Sequence, residues 1–436
     1  MKSEKPRSSP LLAVALLLLL TAGCERAGAG VQKEPAAEPG QQAQLSGTIV
    51  MLTNRVDLVE NGTLETYAEQ FNQKYPGAHV EFEGLPNYAT DILVRLSTRD
   101  AGDVLLLPVN LPAKELGLFF EPLDEAMARD ERFVTFSTYE GKRYGLSTGS
   151  TTSGIIYNKR AFEQAGITEI PQTLDAFYAV CAKLKAAGIT PLYMNYGAVW
   201  PLREFGHNLL NYMTGDPDYL NNMVNQDAPW QLGNEWGQSL EIARTMINQG
   251  YVEEQLFSNN WEISKTKLAT GEAGMYLLGN WTIRQVLDAG AESEDIGFFP
   301  FPYDNGASHY APLNPDWFMG VSKFSKNKEL AKAWVEFFVK ETDYTQEWGF
   351  LPADGSQELG MPQYQEFLSY QPTLVEATVQ SDAFIDMANR AKLSFWSGDY
   401  MQELIAAPDL QQSFDELNAK WKEARAGQVA SPAAGY

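Results

Sequence analysis

The chain has 436 residues, of which 44% are hydrophobic, and a formal net charge of −23 at pH 7. This length fits roughly two or three domains with apolar cores, which excludes a wholly disordered chain. The negative charge argues against nucleic-acid binding and against electrostatic docking on anionic lipid. Two cysteines and three histidines are too few for a disulfide scaffold or a typical zinc site, so no metal or cofactor is predicted.

The first 23 residues have the pattern of an export signal. Three basic residues precede an unbroken apolar run from Leu11 to Leu20, which is about half the length of a membrane-spanning helix. The run ends in Thr21-Ala22-Gly23-Cys24, which resembles a bacterial lipobox, where the cysteine receives a diacylglyceryl group and becomes the mature N-terminus. We therefore expect a lipoprotein signal peptide, with an ordinary signal peptide as the alternative.

Residues 24–45 are rich in Ala, Gly, Gln, Glu and Pro, which predicts a disordered tether between a lipidated Cys24 and the folded body. The protein is then extracytoplasmic and is held at the bacterial cell membrane by its lipid anchor alone. The other thiol, Cys181, lies in an apolar-periodic stretch, so we expect it to be buried.

The first folded region alternates short apolar runs with segments that have apolar residues at helical spacing. The predicted strands are 47–52, 79–83 and 102–108, and the predicted helices are 63–75 and 88–97. This order is typical of parallel strands flanked by helices, in which ligands bind beyond the carboxyl ends of the strands. The loops expected to meet at that edge are 53–55, 86–88 and 109–110.

A second region follows from about residue 151. Its clearest element is a helix from Thr173 to Ala187, which Thr173 caps and Gly188 ends. Two further amphipathic helices are predicted at 330–340 and 410–426, and residues 427–436 form a polar tail. The chain contains no HExxH, Walker-type or GxSxG motif, so the common hydrolase and nucleotide-binding signatures are absent.

Three stretches, taken in order along the chain, resemble extracellular solute-binding proteins of ABC sugar importers. The first is Tyr144–Lys159, with the sequence YGLSTGSTTSGIIYNK, the second is Thr270–Trp281, with the sequence TGEAGMYLLGNW, and the third runs from Gly320 to Phe338. Each stretch is weakly specific alone, but together after a lipobox they identify the family. The order also resembles that of maltose-binding protein, a distant member.

This resemblance implies a periplasmic-binding-protein-like α/β fold, with two lobes of mixed, mostly parallel sheet flanked by helices. The chain crosses between the lobes at three hinges, and the ligand lies in the cleft between them. We expect an N-terminal lobe of residues 46–148 and 300–345, and a C-terminal lobe of residues 149–299 and 346–426.

The implied function is capture of a carbohydrate, with an oligosaccharide favoured, and its delivery to the permease subunits of an ABC transporter. The protein would be a monomer, would not be an enzyme, and would present its closed form to the permease. One alternative is a receptor of the same fold for a peptide, polyamine or glycerophosphodiester. A second alternative, of another class, is a secreted carbohydrate-active enzyme.

Aromatic rings stack on the apolar faces of sugars, and carboxylate, amide and guanidinium groups bond the hydroxyls. Matching to the family's motifs places several side chains at sugar-contacting or cleft positions: Asn54, Arg55, Asn110, Thr151, Trp200, Trp281 and Trp396. Further candidates on the same predicted loops are Tyr88, Asp103, Tyr196, Trp317 and Asp399. The alternative for each tryptophan is a place in the core. For the polar residues the alternative is a turn or a solvated loop, and Asp103 in particular could cap a backbone turn.

Overall fold

Short apolar runs form the strands of this protein, and segments with one apolar face pack over them as helices. The structure, a computed structural model, describes residues 45–128, 132–306, 309–353, 360–395 and 398–429. Cys24, most of the predicted tether and Trp396 lie outside these ranges. No helix within them is long and apolar enough to cross a membrane.

The helices are α1 Val56–Glu60, α2 Thr63–Lys74, α3 Tyr88–Thr98, α4 Leu116–Phe119, α5 Lys159–Gln164, α6 Leu174–Ala186, α7 His207–Thr214, α8 Tyr219–Asn222, α9 Glu235–Asn248, α10 Trp261–Thr270, α11 Trp281–Asp288, α12 Lys328–Glu341, α13 Tyr344–Glu347, α14 Pro362–Ser369, α15 Asp382–Arg390, α16 Asp399–Ala406 and α17 Leu410–Val429. Short 3₁₀ helices span Ala113–Glu115, Glu125–Ala128, Val134–Ser137, Tyr196–Ala198, Trp200–Phe205, Met223–Asn225 and Ser293–Asp295.

The strands are β1 Gly47–Thr53, β2 Ala78–Gly84, β3 Val104–Leu106, β4 Phe120–Glu121, β5 Thr138–Tyr139, β6 Lys142–Arg143, β7 Leu146–Ser147, β8 Ser150–Thr151, β9 Ser153–Asn158, β10 Thr190–Leu192, β11 Ala273–Gly279, β12 Ile296–Phe299, β13 Tyr310–Pro315, β14 Phe318–Ser322 and β15 Thr373–Glu376.

Two main sheets organise the fold. The six-stranded sheet has the order β2-β1-β3-β14-β4, with β7 paired to β14, and the four-stranded sheet has the order β10-β11-β9-β12. A three-stranded sheet, β15-β13-β8, and the β5-β6 hairpin complete the pairing. The sheets are mixed, as predicted. They are not mostly parallel, however, because strands that return from the other part of the chain, such as β14, pair antiparallel.

The early elements confirm the sequence-based predictions closely. Strands β1 and β2 pair in parallel from Gly47 opposite Ala78 to Thr53 opposite Gly84, and β3 pairs in parallel on the other side of β1. Helix α6 begins after Thr173, whose hydroxyl accepts a hydrogen bond from the Ala176 N–H at 3.3 Å. Cys181 on this helix is fully buried.

We expected residues 300–315 in the N-terminal lobe, but their strand β13 lies in the three-stranded sheet, and its Ala311 and Leu313 pack in the core that contains β1 residues. Phe301 and Tyr303 pack in the apolar core that contains β9 and α6 residues. Strand β13 pairs with β8 and β15, not with the six-stranded sheet. The chain therefore rejoins the first sheet at β14, after Asp316 and Trp317, which puts those two side chains at the crossing.

Candidate ligand-binding site

The carboxyl ends of the parallel strands carry one wall of the candidate site. Strand β1 leads directly into Asn54 and Arg55, and both line a pocket that also includes Thr148, Asp316 and Trp317. The last three reach this edge because β14 runs antiparallel to β3 and β7, so that β14 begins where those two strands end. The pocket thus gathers side chains from three separate segments of the chain.

Asp316 is the acidic group of this wall, and the sequence analysis did not include it. Its Oδ2 accepts a hydrogen bond from the Thr148 hydroxyl at 2.8 Å, and its N–H donates to the Gly149 carbonyl at 2.9 Å. Burial raises the pKa of Asp316 to about 6, although the Thr148 hydrogen bond and nearby Arg55 favour the ionised form. A carboxylate held this way can accept hydrogen bonds from a polar ligand.

Arg55 is braced by its surroundings more than the sequence suggested. Its Nε and Nη2 donate to the Asp57 carboxylate at 2.9 and 2.7 Å, and its Nη1 donates to the Tyr344 hydroxyl at 3.3 Å. The guanidinium also lies 4.5 Å from the centre of the Trp348 ring, and the side chain is 11% exposed. Because Asp57 balances its charge, Arg55 adds little net charge to the pocket. Its guanidinium group is a hydrogen-bond donor that these contacts hold in one orientation.

Three half-buried tryptophans pack against one another outside the lining of that pocket, and we take them as the candidate second wall of the site. Trp200 packs edge-to-face on Trp261 with ring centroids 5.0 Å apart, and Trp281 lies 5.8 Å from Trp200 and 6.1 Å from Trp261. A Cβ at Gly279 would lie 2.4 Å from the Trp281 Nε1, so glycine at the end of β11 lets this ring fold back over the strand. We call Trp200, Trp261 and Trp281 the tryptophan cluster. Trp261 was not predicted, since it lies on a helix without a family motif.

Hydrogen bonds at the crossings tie the two walls together. Ser150 and Leu351 exchange two backbone hydrogen bonds of 2.7 Å. The fully buried Asn280 accepts the Thr152 N–H at 2.8 Å on its Oδ1 and donates its Nδ2 to the Gly349 carbonyl. Since Asn280 immediately precedes Trp281, these bonds fix the tryptophan cluster relative to the crossing strands. Thr151 lies half-buried in β8, between these bonded residues.

Three predicted contacts are not in position to touch a ligand here. Tyr88 is 3% exposed, and its hydroxyl is bonded to both the N–H and the carbonyl of Leu106, while its ring packs on Trp317. Asp103 accepts hydrogen bonds from the Val50 N–H and the Ser325 hydroxyl at the opposite end of β3, as expected if it caps a backbone turn. Tyr196 is 1% exposed and donates to the Gln402 carbonyl. Asp399 is exposed at the start of α16, and its contact with a ligand stays a prediction.

Two further predicted positions stay predictions. Asn110 is half-buried in the loop after β3, and its Oδ1 has no hydrogen-bond partner among the described residues. Trp396 lies outside the described residues; Gly398, which is described, is in close contact with the backbone of Val199 and Trp200.

The pocket beside Arg55 and Asp316 is tight, with an enclosed volume of about 10 Å³, room for about one water molecule. A sugar ring enters only if the walls separate or if it binds in the part that opens to solvent. Movement about the crossings, as in hinged domain closure, provides the first route.

The loop after β3 also bridges to the second core at α15. Lys114 Nζ lies 3.0 Å from the Asp386 carboxylate, and the Ala113 N–H donates to Asp382 Oδ1 at 3.2 Å. Asp386 raises the pKa of Lys114 by accepting its hydrogen bond. Helix α15 contributes Phe384 to the core of the second sheet, so this ion pair connects the two sides of the cleft.

We expect Lys114→Ala to weaken ligand binding by up to about fivefold, because partly exposed ion pairs contribute about 0.2–1 kcal/mol. The dissociation constant is compared at low and high salt, since screening should remove the difference. Lys340→Ala is the matched control, because Lys340 pairs with Glu336 at 3.4 Å along α12. A loss of affinity that persists unchanged in 1 M salt would contradict an electrostatic bridge.

With this geometry established, comparison with known proteins identifies the family. The sequence profile of the bacterial extracellular solute-binding proteins matches residues 57–344. The chain belongs to this family. The solute-binding protein is 22% identical over 341 residues to the multiple sugar-binding protein of Streptococcus mutans, with 74% of this chain and 76% of that protein covered.

Two solved structures from Bifidobacterium animalis subsp. lactis are similar over nearly their whole length. One is a manno-oligosaccharide specific solute-binding protein in complex with mannotriose, with 26% identity, a TM-score of 0.80, and coverage of 88% of this chain and 95% of that chain. The other is a binding protein of an ABC transporter in complex with mannobiose, with 26% identity, a TM-score of 0.77 and the same coverage. These similarities confirm the predicted family and the periplasmic-binding-protein-like fold, which are those of binding proteins.

Proposed function

We propose that this solute-binding protein captures an oligosaccharide between the tryptophan cluster and the Asp316 wall, and delivers it to an ABC importer. The proposal is supported by an aromatic cluster and a polar pocket that are linked through the hydrogen bonds of Asn280 with Thr152 and Gly349. Aromatic rings cover the C–H faces of pyranose rings, while carboxylate and amide groups bond their hydroxyls in pairs. The Bifidobacterium relatives make manno-oligosaccharides the first ligands to test.

The charge balance of the pocket favours a neutral ligand over the alternatives. Arg55 is neutralised by Asp57 at 2.7 Å, and the pocket residues beside it include one further acid, Asp316. A polyamine needs several carboxylates around its amines, and a glycerophosphodiester needs an unpaired cation. Neither is supplied by these side chains, whereas a sugar needs only the hydrogen-bonding groups that are present. We also propose that the protein releases its ligand unchanged and performs no catalysis.

The test is thermal unfolding of the purified full-length protein with mannobiose, mannotriose, other oligosaccharides, peptides, polyamines and glycerophosphodiesters. A ligand that binds only the folded protein raises its melting temperature. At a ligand concentration of 100 times the dissociation constant, the free energy of unfolding increases by about 2.7 kcal/mol. We expect a rise with one class of oligosaccharide. A rise with only one of the other solutes would assign that solute instead, and turnover of an oligosaccharide would indicate an enzyme.

We further propose that the protein is lipid-anchored at Cys24, outside the cytoplasm, and binds the permease subunits as a monomer. Cys24→Ala should move the protein from the membrane fraction to the soluble fraction without changing its ligand affinity. Cys181→Ala is the matched control, because this buried thiol should have no part in anchoring. Retention of the Cys24→Ala protein in washed membranes would contradict lipidation at this residue.

A further inference from the structure

The ring of Trp348 contacts two arginines from different parts of the fold. One is Arg55, which follows β1 of the six-stranded sheet and lies 4.5 Å from the ring centre. The other is Arg284, 5.6 Å from the ring centre, on the helix α11 that begins at Trp281. Trp348 is 7% exposed, so it is buried by this packing and does not face the ligand.

Each arginine has its own carboxylate, so the two cations can lie on one ring without strong mutual repulsion. Asp57 pairs with Arg55, and Asp288 pairs with Arg284 at 2.9 Å, one helical turn further along α11. The face of an indole ring attracts guanidinium groups, and the attraction is about 0.5–1 kcal/mol at exposed sites and larger when water is excluded. We call Arg55, Trp348 and Arg284 the stack. It links the polar wall to helix α11, which begins at Trp281.

The backbone beside the stack reinforces the same link. The Trp348 N–H donates to the Tyr344 carbonyl at 3.0 Å, and the next residue, Gly349, accepts the bond from Asn280. Gly349 has a φ of +74°, a backbone conformation that favours glycine. A Cβ at this position would lie 3.8 Å from the Trp281 Cα, so the two backbones pass close to each other. Trp348 is thus held in place at the point where both walls meet.

We propose that Trp348 and Arg284 are positioning residues that hold the two walls of the ligand site together and slow ligand dissociation without touching the ligand. The proposal rests on the proposed sugar-binding function. When the walls separate about the crossings, the stack between Arg55, Trp348 and Arg284 has to loosen. Its strength then adds to the stability of the closed, ligand-holding form.

The test variant is Arg284→Gln, since this side chain is 44% exposed and its loss should leave the folded protein intact. We expect a dissociation constant about two- to fivefold higher, entirely through a faster dissociation rate, with an unchanged melting temperature of the ligand-free protein. Arg160→Gln is the matched control, because it neutralises another exposed arginine, which lies on α5 and pairs with Asp295 at 3.1 Å. Trp348→Leu should lower the affinity for the sugar, because leucine has no aromatic face. Trp348→Phe keeps such a face and should bind the sugar nearly as well as the wild type.

Equal dissociation rates in Arg284→Gln and the wild type would overturn the proposal, as would an equal loss of affinity in Arg160→Gln. If the wild type binds no oligosaccharide, the proposed function fails, and the stack is then tested by the distance between the walls. Spin labels at Leu118→Cys and Ile263→Cys, both exposed positions, should show a longer or broader distance in Arg284→Gln. An unchanged distance distribution would overturn the stack as a link between the walls.

Discussion

Replacement of Trp281 by alanine should weaken oligosaccharide binding by about 30-fold or more. Trp281 is half-buried in the tryptophan cluster at the end of β11, so its ring offers a stacking face and its loss removes apolar area that only the complex buries. Buried aromatic anchors of this kind contribute about 2 kcal/mol or more to binding, which corresponds to that factor. The dissociation constant is measured by titration calorimetry with the sugar that gives the largest thermal shift.

The control for this prediction is Phe324→Ala, which removes another half-buried ring. Phe324 contacts Arg99 beyond the start of β3, at the end of the sheet opposite to the ligand site. It should lower the melting temperature without altering affinity, whereas Trp281→Ala should alter affinity. If the two variants bind the sugar equally well, the aromatic wall is assigned wrongly. Trp261→Ala extends the test to another member of the tryptophan cluster, and Trp396→Ala tests a predicted contact that lies outside the described residues.

Asp316→Asn should weaken sugar binding by about tenfold and, at neutral pH, stabilise the ligand-free protein. A hydrogen bond to a charged group contributes about 1.5–3 kcal/mol, compared with 0.5–1.5 kcal/mol for a neutral one, and the amide oxygen keeps the bond from Thr148. The gain in stability arises because burial raises the pKa of Asp316 to about 6 in the folded protein, from an ordinary value of 3.8.

The sign of the pH effect follows from that raised pKa. Between about pH 4 and pH 6 the folded protein holds a proton on Asp316 that the unfolded chain has lost, so the free energy of unfolding falls as the pH rises through this range. Above pH 6 the full cost of the buried charge remains, at most about 3 kcal/mol. Asp316→Asn lacks this cost, so its gain in melting temperature over the wild type should be larger at pH 7.5 than at pH 4.

Sugar affinity provides a second readout for Asp316. In the wild type it should fall as the pH is lowered through about 6, because protonation removes the charged acceptor, while in Asp316→Asn it should stay nearly constant. Asp415→Asn, on the exposed face of α17, is the matched control and should change neither profile. A wild-type affinity that does not vary between pH 7.5 and pH 5 would contradict a role for Asp316 in binding.

The sequence predicted those parts of the fold that local patterns determine. Strands β1 and β2 and helices α2 and α3 lie within one or two residues of the predicted ranges, because their apolar spacing is set over a few residues. Parallel pairing of β1 with β2 and β3 then brought Asn54 and Arg55 to the predicted edge. The position of this loop could be predicted because the carboxyl ends of parallel strands lie at the same edge of a sheet.

The rest of the site depends on contacts between residues far apart in the chain. Asp316 enters the pocket because β14 returns antiparallel beside β3, more than 200 residues later in the sequence. Tyr88 was predicted as a ligand contact, but both bonds of its hydroxyl go to the backbone of Leu106, which no local pattern indicates. The contacts of Trp348 with two arginines likewise join residues far apart in the chain, so they could be seen only in three dimensions.

The most direct test of the proposed site is a crystal structure of the protein with the oligosaccharide that gives the largest thermal shift. We predict a pyranose ring stacked on the tryptophan cluster and a sugar hydroxyl within hydrogen-bond distance of the Asp316 carboxylate. A sugar bound elsewhere, for instance in the separate pocket beside Tyr196 and Arg244, would contradict this assignment even if the affinity were high.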